Sequence, residues 1–158
     1  ITDRFSKIGS EPILEQKDLI TETQESYDYL QSRFSKQVVF SFKAPKKPIL
    51  IPMNPALHSW TIENLVKNAI DAMKGKGKLS VKIIDEPKLV RILVTDTGKG
   101  IPKAQFKSVF EPGFTTKKRG WGLGLSLTRR IVEEYHKGKI FVKESELGKG
   151  TTFRMVLK

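Results

Sequence analysis

The chain predicts a two-layer α/β (α+β) sandwich, with one mixed β-sheet covered on a single face by three helices. Three observations lead there. Apolar residues recur at helical spacing in three separated stretches whose other positions are polar. Between them the β-rich runs come in pairs: VVFSF with Ile49 to Ile51, LSVKIID with LVRILVTD, and KIFVKE with TTFRMVL. Paired strands alternating with single helices exclude the one-strand, one-helix rhythm of a doubly wound parallel sheet. The 158 residues suffice for one core that buries about two-thirds of the chain's surface.

Residues 1–14 read as a polar linker, or the end of an upstream helix, and residues 15–158 as one domain. From Asp18 to Phe34, residues Leu19, Thr23, Tyr27, Leu30 and Phe34 keep the helical period, with Asp18 placed to cap the start. VVFSF follows as a strand, and the prolines of APKKP confine Ile49 to Ile51 to a sheet edge or a strand end. The next helix is Trp60 to Met73, broken by KGKGK. LSVKIID and LVRILVTD, joined through EPK, form a hairpin. Lys103 to Phe110 has room for about two helical turns. The glycine-rich EPGFTTKKRGWG is a candidate lid before the last helix, Leu125 to Tyr135, and the final strand pair turns at SELGKG.

Trp60 to Met73 organises the rest. Ile62, Leu65, Val66, Ala69, Ile70 and Met73 fill one side, whereas Asn64, Asn68 and Asp71 fall within about 60° of one another on the other. Asparagine competes with the helix for backbone hydrogen bonds, and surface helices elsewhere in this chain use Lys, Glu and Arg instead. The stripe therefore reads as the wall of a cleft. Amide oxygens and one carboxylate at that spacing suit a hard cation that keeps most of its water, as Mg²⁺ does when it arrives with phosphates.

Composition narrows the chemistry. Lys plus Arg number 29 against 17 Asp plus Glu, a formal charge of +12 that favours an anionic partner. There is no cysteine, which excludes disulfides and thiolate chemistry, and the two histidines lack zinc-ligand spacing. No apolar run approaches the roughly 20 residues of a membrane span.

The glycines need separate treatment. No GxxxxGK[ST] occurs; Gly120, Gly122 and Gly124 make GxGxG and not GxGxxG, and DTGKGI follows a strand without opening a long helix. Gly122 to Leu125 does lie at a helix start, where unpaired amides and the helix dipole favour a polyphosphate, with Lys117, Lys118 and Arg119 just before it.

In order, the chain carries ENLVKNAIDAM, DTGKGI, VFEPGFTTK, GWGLGLSLTRRIV and GKGTTF. This set resembles the catalytic ATP-binding domain of bacterial two-component sensor histidine kinases, in the superfamily of gyrase B and the heat-shock 90 chaperones, over roughly residues 15 to 158. The resemblance implies a Bergerat-type fold and the cofactors ATP and Mg²⁺. It implies that Asn68 is an Mg²⁺ ligand, that Asn64 faces the same metal and phosphates, and that Lys67 reaches a phosphate, with Asp71 on the same stripe. Asp96 matches the aspartate that accepts the exocyclic amine of adenine. Gly98 and Gly100 admit the ring, Ile101 lines the base pocket, and Thr151 lies at its floor. Phe106, Phe110 and Phe114 match the phenylalanine box, Phe110 being either core or part of the site. Thr115, Thr116, Lys117 and Gly120 belong to the lid, and Gly122, Leu123, Gly124 and Leu125 supply phosphate-facing amides. Asn64, Asn68 and Lys117 are the expected catalytic set.

Position 64 also separates branches of the superfamily. Its ATPases have a general-base glutamate where this chain has Asn64, and Glu63 is one residue off that face, so hydrolysis by the domain alone should be slow. The family's phosphoacceptor histidine sits on a separate dimerisation domain and is followed by an acidic residue; His58 precedes Ser59 and His136 precedes Lys137, so neither fits. The implied partners are ATP and ADP, a dimerisation domain that makes the intact protein a homodimer, and a response regulator; the implied location is a cytoplasmic domain of a membrane-bound sensor. Two rivals are a gyrase-like or chaperone-like ATPase, opposed by Asn64, and a basic nucleic-acid module. The second is opposed by phenylalanines in core-like positions instead of interleaved with basic residues, and no nucleic acid is expected.

Overall fold

The computed structural model describes residues 13–34, 36–112 and 124–158 and has the expected sandwich. In chain order come β1 (Glu15–Asp18), α1 (Leu19–Gln31), β2 (Val38–Lys43), β3 (Leu50–Met53) and α2 (Pro55–Ala72). The hairpin β4 (Gly77–Asp85) and β5 (Val90–Asp96) follows, then 3-10 turns at Lys103–Gln105 and Ser108–Phe110. Last are α3 (Gly124–Arg130), which runs into a π turn (Ile131–Tyr135), β6 (Lys139–Glu146) and β7 (Gly150–Leu157). The main sheet has the order β2-β4-β5-β7-β6, with β2 parallel to β4 and the other pairs antiparallel. Alternate residues point to the helices: Val81 and Ile83 from β4, Ile92 and Val94 from β5, Phe153 and Met155 from β7 are buried in one core with Ile62, Leu65, Val66, Ala69 and Ile70 of α2.

Local chemistry sets the helix ends. The Asp18 carboxylate accepts from Ile20 N at 3.2 Å and Thr21 Oγ1 at 2.7 Å, and it also takes Ile49 N at 2.8 Å, which ties the approach to β3 onto α1. α2 begins five residues before Trp60, because Asn54 Oδ1 accepts from Leu57 N at 3.1 Å and Pro55 supplies the first helical position. It ends where Lys74 (φ 57°) and Gly75 (φ 77°) turn left-handed.

Four expectations are corrected. β1 was not anticipated: EQKD has no strand propensity and is extended because it pairs antiparallel with β3. β3 is thereby drawn into a separate two-stranded sheet and is not part of the mixed sheet. The stretch Lys103 to Phe110 makes two 3-10 turns instead of a short α-helix. α3 closes on a π turn, in which His136 N bonds to Ile131 O at 3.0 Å. No helix among the described residues is long and apolar enough to cross a membrane.

Candidate functional site

α2 holds the polar stripe, and Asn64 on it meets the start of α3 directly. Asn64 and Asn68 are half-buried, whereas Lys67 and Asp71 are exposed. Asn64 donates from Nδ2 to Thr128 Oγ1 at 2.7 Å, and Thr128 donates in turn to the Gly124 carbonyl at 2.8 Å. With the hydroxyl proton committed to a carbonyl, Thr128 acts toward Asn64 as an acceptor, and this orients the amide so that Oδ1 is left for another partner. The approach is close: a Cβ on Gly124 would come within 2.9 Å of Asn64 Oδ1. Thr128 is fully buried. It was not anticipated, and its only trace in the sequence is a hydroxyl four residues after a helix-opening glycine. The Asn68 side chain makes no hydrogen bond among the described residues.

The second part of the candidate site is built on the end of β5. Asp96 is 4 % exposed, and its Oδ1 accepts from Gly98 N at 2.8 Å. Burial pushes its carboxyl above the ordinary value, against the opposing pull of amide hydrogen bonds from Gly98 and Thr151. Thr151 is its partner in the β5–β7 register, so the two side chains stand on the same face of the sheet.

The loop from Asp96 to Ile101 is clamped from both sides. A Cβ on Gly98 would lie 2.6 Å from the Ala72 carbonyl at the end of α2, and one on Gly100 would collide with the Glu146 carbonyl. Lys99 N donates to Ala72 O at 3.0 Å, Gly148 N donates to Lys99 O at 2.8 Å, and Ile101 N donates to Ser145 Oγ at 2.7 Å. Ser145 is the second residue that sequence reasoning missed, since a lone serine in a strand carries no pattern.

Ile101 is half-buried against the core beside this loop, and Leu125 lies one position into α3. Phe110, read as either core or part of the site, lies in the core: it is 4 % exposed and packs edge-on against Phe153 at 6.0 Å. Thr115, Thr116, Lys117, Gly120, Gly122 and Leu123, with most of the candidate lid, lie outside the described residues. Both histidines are structural. His58 is 2 % exposed with Nε2 2.8 Å from Thr23 Oγ1. His136 accepts from Asn54 N through Nε2 at 3.0 Å, while its Nδ1 is 3.1 Å from Ile131 O, which fixes the proton on Nδ1.

A mixed sheet, a buried carboxylate ending a central strand, a glycine loop wedged beside it and a helix bearing oriented amides together define a nucleotide-binding α/β sandwich. A family model described as histidine kinase-, DNA gyrase B-, and HSP90-like ATPase matches residues 57–158. The chain is similar to sensor histidine kinase ZraS of Escherichia coli strain K12, 36% identical over 165 residues that span 98% of this chain and 35% of that protein. Sporulation kinase E of Bacillus subtilis is 43% identical over 96 residues, 60% of this chain and 13% of that one. Among solved structures, the catalytic domain of histidine kinase ThkA superposes with a TM-score of 0.81 at 30% identity, covering 91% of this chain and 94% of that domain. The chain belongs to the histidine kinase-, DNA gyrase B- and HSP90-like ATPase family, as the catalytic ATP-binding domain of a sensor histidine kinase. It spans about a third of the length of ZraS.

Proposed function

We propose that this domain binds MgATP and passes the γ-phosphoryl group to a histidine on a dimerisation domain outside this chain, from which a response regulator takes it. The observation that carries the reading is the buried Asp96 carboxylate beside Thr151, bordered by a glycine loop packed closely between the end of α2 and the end of β6. A histidine kinase ThkA structure, 27% identical to this chain, holds response regulator protein TrrA. The localisation that fits this role is a cytoplasmic domain of a membrane-bound homodimer.

At the phosphate end the residues fit Mg²⁺. Asn64 presents Oδ1 because Thr128 holds Nδ2, and Asn68 has an amide oxygen with no partner among the described residues. Two neutral oxygens suit a hard cation that keeps water and phosphate as its remaining ligands. Asn64 and Asn68 would hold the ion, which would supply charge neutralisation at the phosphates. Lys67, exposed one residue before Asn68, meets a phosphate oxygen. In the transfer, the bond between the γ-phosphorus and the β–γ bridging oxygen breaks, a bond from the acceptor imidazole nitrogen to phosphorus forms, and ADP leaves. This chain's contribution is placement and charge, since His58 is buried and both ring nitrogens of His136 are engaged, Nε2 by Asn54 N and Nδ1 by Ile131 O. Mass spectrometry after incubation with MgATP tests the proposal. The chain alone should stay unmodified, and a chain extended upstream should gain an acid-labile phosphate on a histidine of the extension, abolished by Asn68→Ala. Stoichiometric phosphate on His58 or His136 would overturn it.

A further inference from the structure

A serine hydroxyl has one proton to donate and two lone pairs to accept with. Ser145 on β6 has three partners that use all of them. Ile101 N donates to Oγ at 2.7 Å, the Gly150 carbonyl lies 2.9 Å away, and Thr151 Oγ1 lies 2.7 Å away. An amide only donates and a carbonyl only accepts. The three bonds form together in a single way: Ser145 donates to Gly150 O, and the Thr151 hydroxyl donates into Ser145. Thr151 therefore has no proton left for a ligand. Its buried oxygen offers lone pairs alone, beside a carboxylate oxygen that accepts the Gly98 amide proton at 2.8 Å.

Given the nucleotide reading above, on which this rests, we propose that Ser145 is a specificity-determining residue: by taking the Thr151 proton it makes this end of the base pocket an all-acceptor surface. With position 6 of the base set between Asp96 and Thr151, the two N–H bonds of a 6-aminopurine meet these two acceptors. A 6-oxopurine brings a carbonyl oxygen that meets only acceptors and is left unpaired, which is the mismatch that discriminates most strongly in buried polar sites. The same hydroxyl fixes the Ile101 amide at the edge of the pocket, so base polarity and loop position are set by one atom.

Calorimetric titration of ATP and of ITP, its 6-oxo counterpart, into the intact chain tests this. Wild type should prefer ATP by more than ~50-fold, and Ser145→Ala, which frees Thr151 to turn and donate, should cut that ratio by about tenfold or more without weakening ITP. Ser145→Thr keeps the acceptor and should hold the ratio within about threefold of wild type. Should the alanine variant fold poorly, Ser145→Cys, of similar shape but a weak acceptor, should lower the ratio by at least roughly threefold. A folded Ser145→Ala that weakens ATP and ITP equally would overturn the assignment while leaving the base pocket standing. Wild type that binds both nucleotides alike would instead remove the base-selecting reading, and this inference with it.

Discussion

Acidification should destabilise the domain chiefly through one side chain. His58 sits in the first turns of α2 with its Nε2 against the Thr23 hydroxyl of α1, and burial, helped by the neighbouring His136, holds its pKa down to about 3. In the unfolded chain an imidazole titrates near 6.5. The unfolded state therefore takes up the proton first. Stability is complete above about pH 6.5 and falls by ~1.4 kcal/mol per pH unit until the folded value is reached near pH 3. Between roughly pH 7.5 and 5 this residue alone removes about 2 kcal/mol, or about 4–8 °C of Tm for a chain of this size. His136, also lowered by burial, acts in the same direction. Urea unfolding at the two pH values is followed by the fluorescence of Trp60, which is buried against Leu57 and Ile131. His58→Gln can still bond Thr23 but does not titrate, and carboxylates common to both proteins cancel, so its pH difference should be smaller by about 2 kcal/mol. Parallel losses in wild type and variant would refute the argument.

Two further outcomes follow from the site. Asp96→Asn should weaken ADP and ATP alike by about 1–3 kcal/mol in calorimetry, because the change lies at the base end, away from the phosphates; unchanged ADP affinity would count against the base-selecting role. Thr128→Val removes the acceptor that orients Asn64 and should cost about 1–2 kcal/mol of stability. The same variant should shift the Mg²⁺ concentration needed for tight nucleotide binding upward, and a variant with an unaltered Mg²⁺ titration would show that Asn64 is oriented by something else.

Periodic features were legible in the sequence and paired ones were not. The apolar face of α2, the β4–β5 hairpin and the Asp18 cap each rest on local pattern, and they stand where the residues predict. The start of α2 was missed although Asn54-Pro55 is a cap signal, because buried His58 interrupts the apolar period with a polar residue. β1 exists only through its pairing with β3, and the π turn of α3 carries His136, which meets Asn54 from a distant part of the chain. At the site, Asn64, Asn68, Asp96 and Thr151 were legible as parts of ordered motifs. Thr128 and Ser145 were not, because a hydroxyl's importance there lies in which way its proton points.

The strand order has a consequence for how the domain assembles. β7 lies between β5 and β6, so the β6–β7 hairpin joins the sheet through its second strand, and one docking event brings Thr151 opposite Asp96 and Ser145 under Ile101. In sequence, the 3-10 turns and α3 lie between β5 and the hairpin that pairs with it. Contacts of such high sequence separation form late in folding, because loop-closure entropy is lost before they contribute. The base-binding end thus reports the completed sheet. On the proposed reading, a nucleotide bridging Asp96 and Thr151 would bind only molecules whose hairpin has docked, and mass action would couple ligand concentration to the least local strand pairing of the sheet.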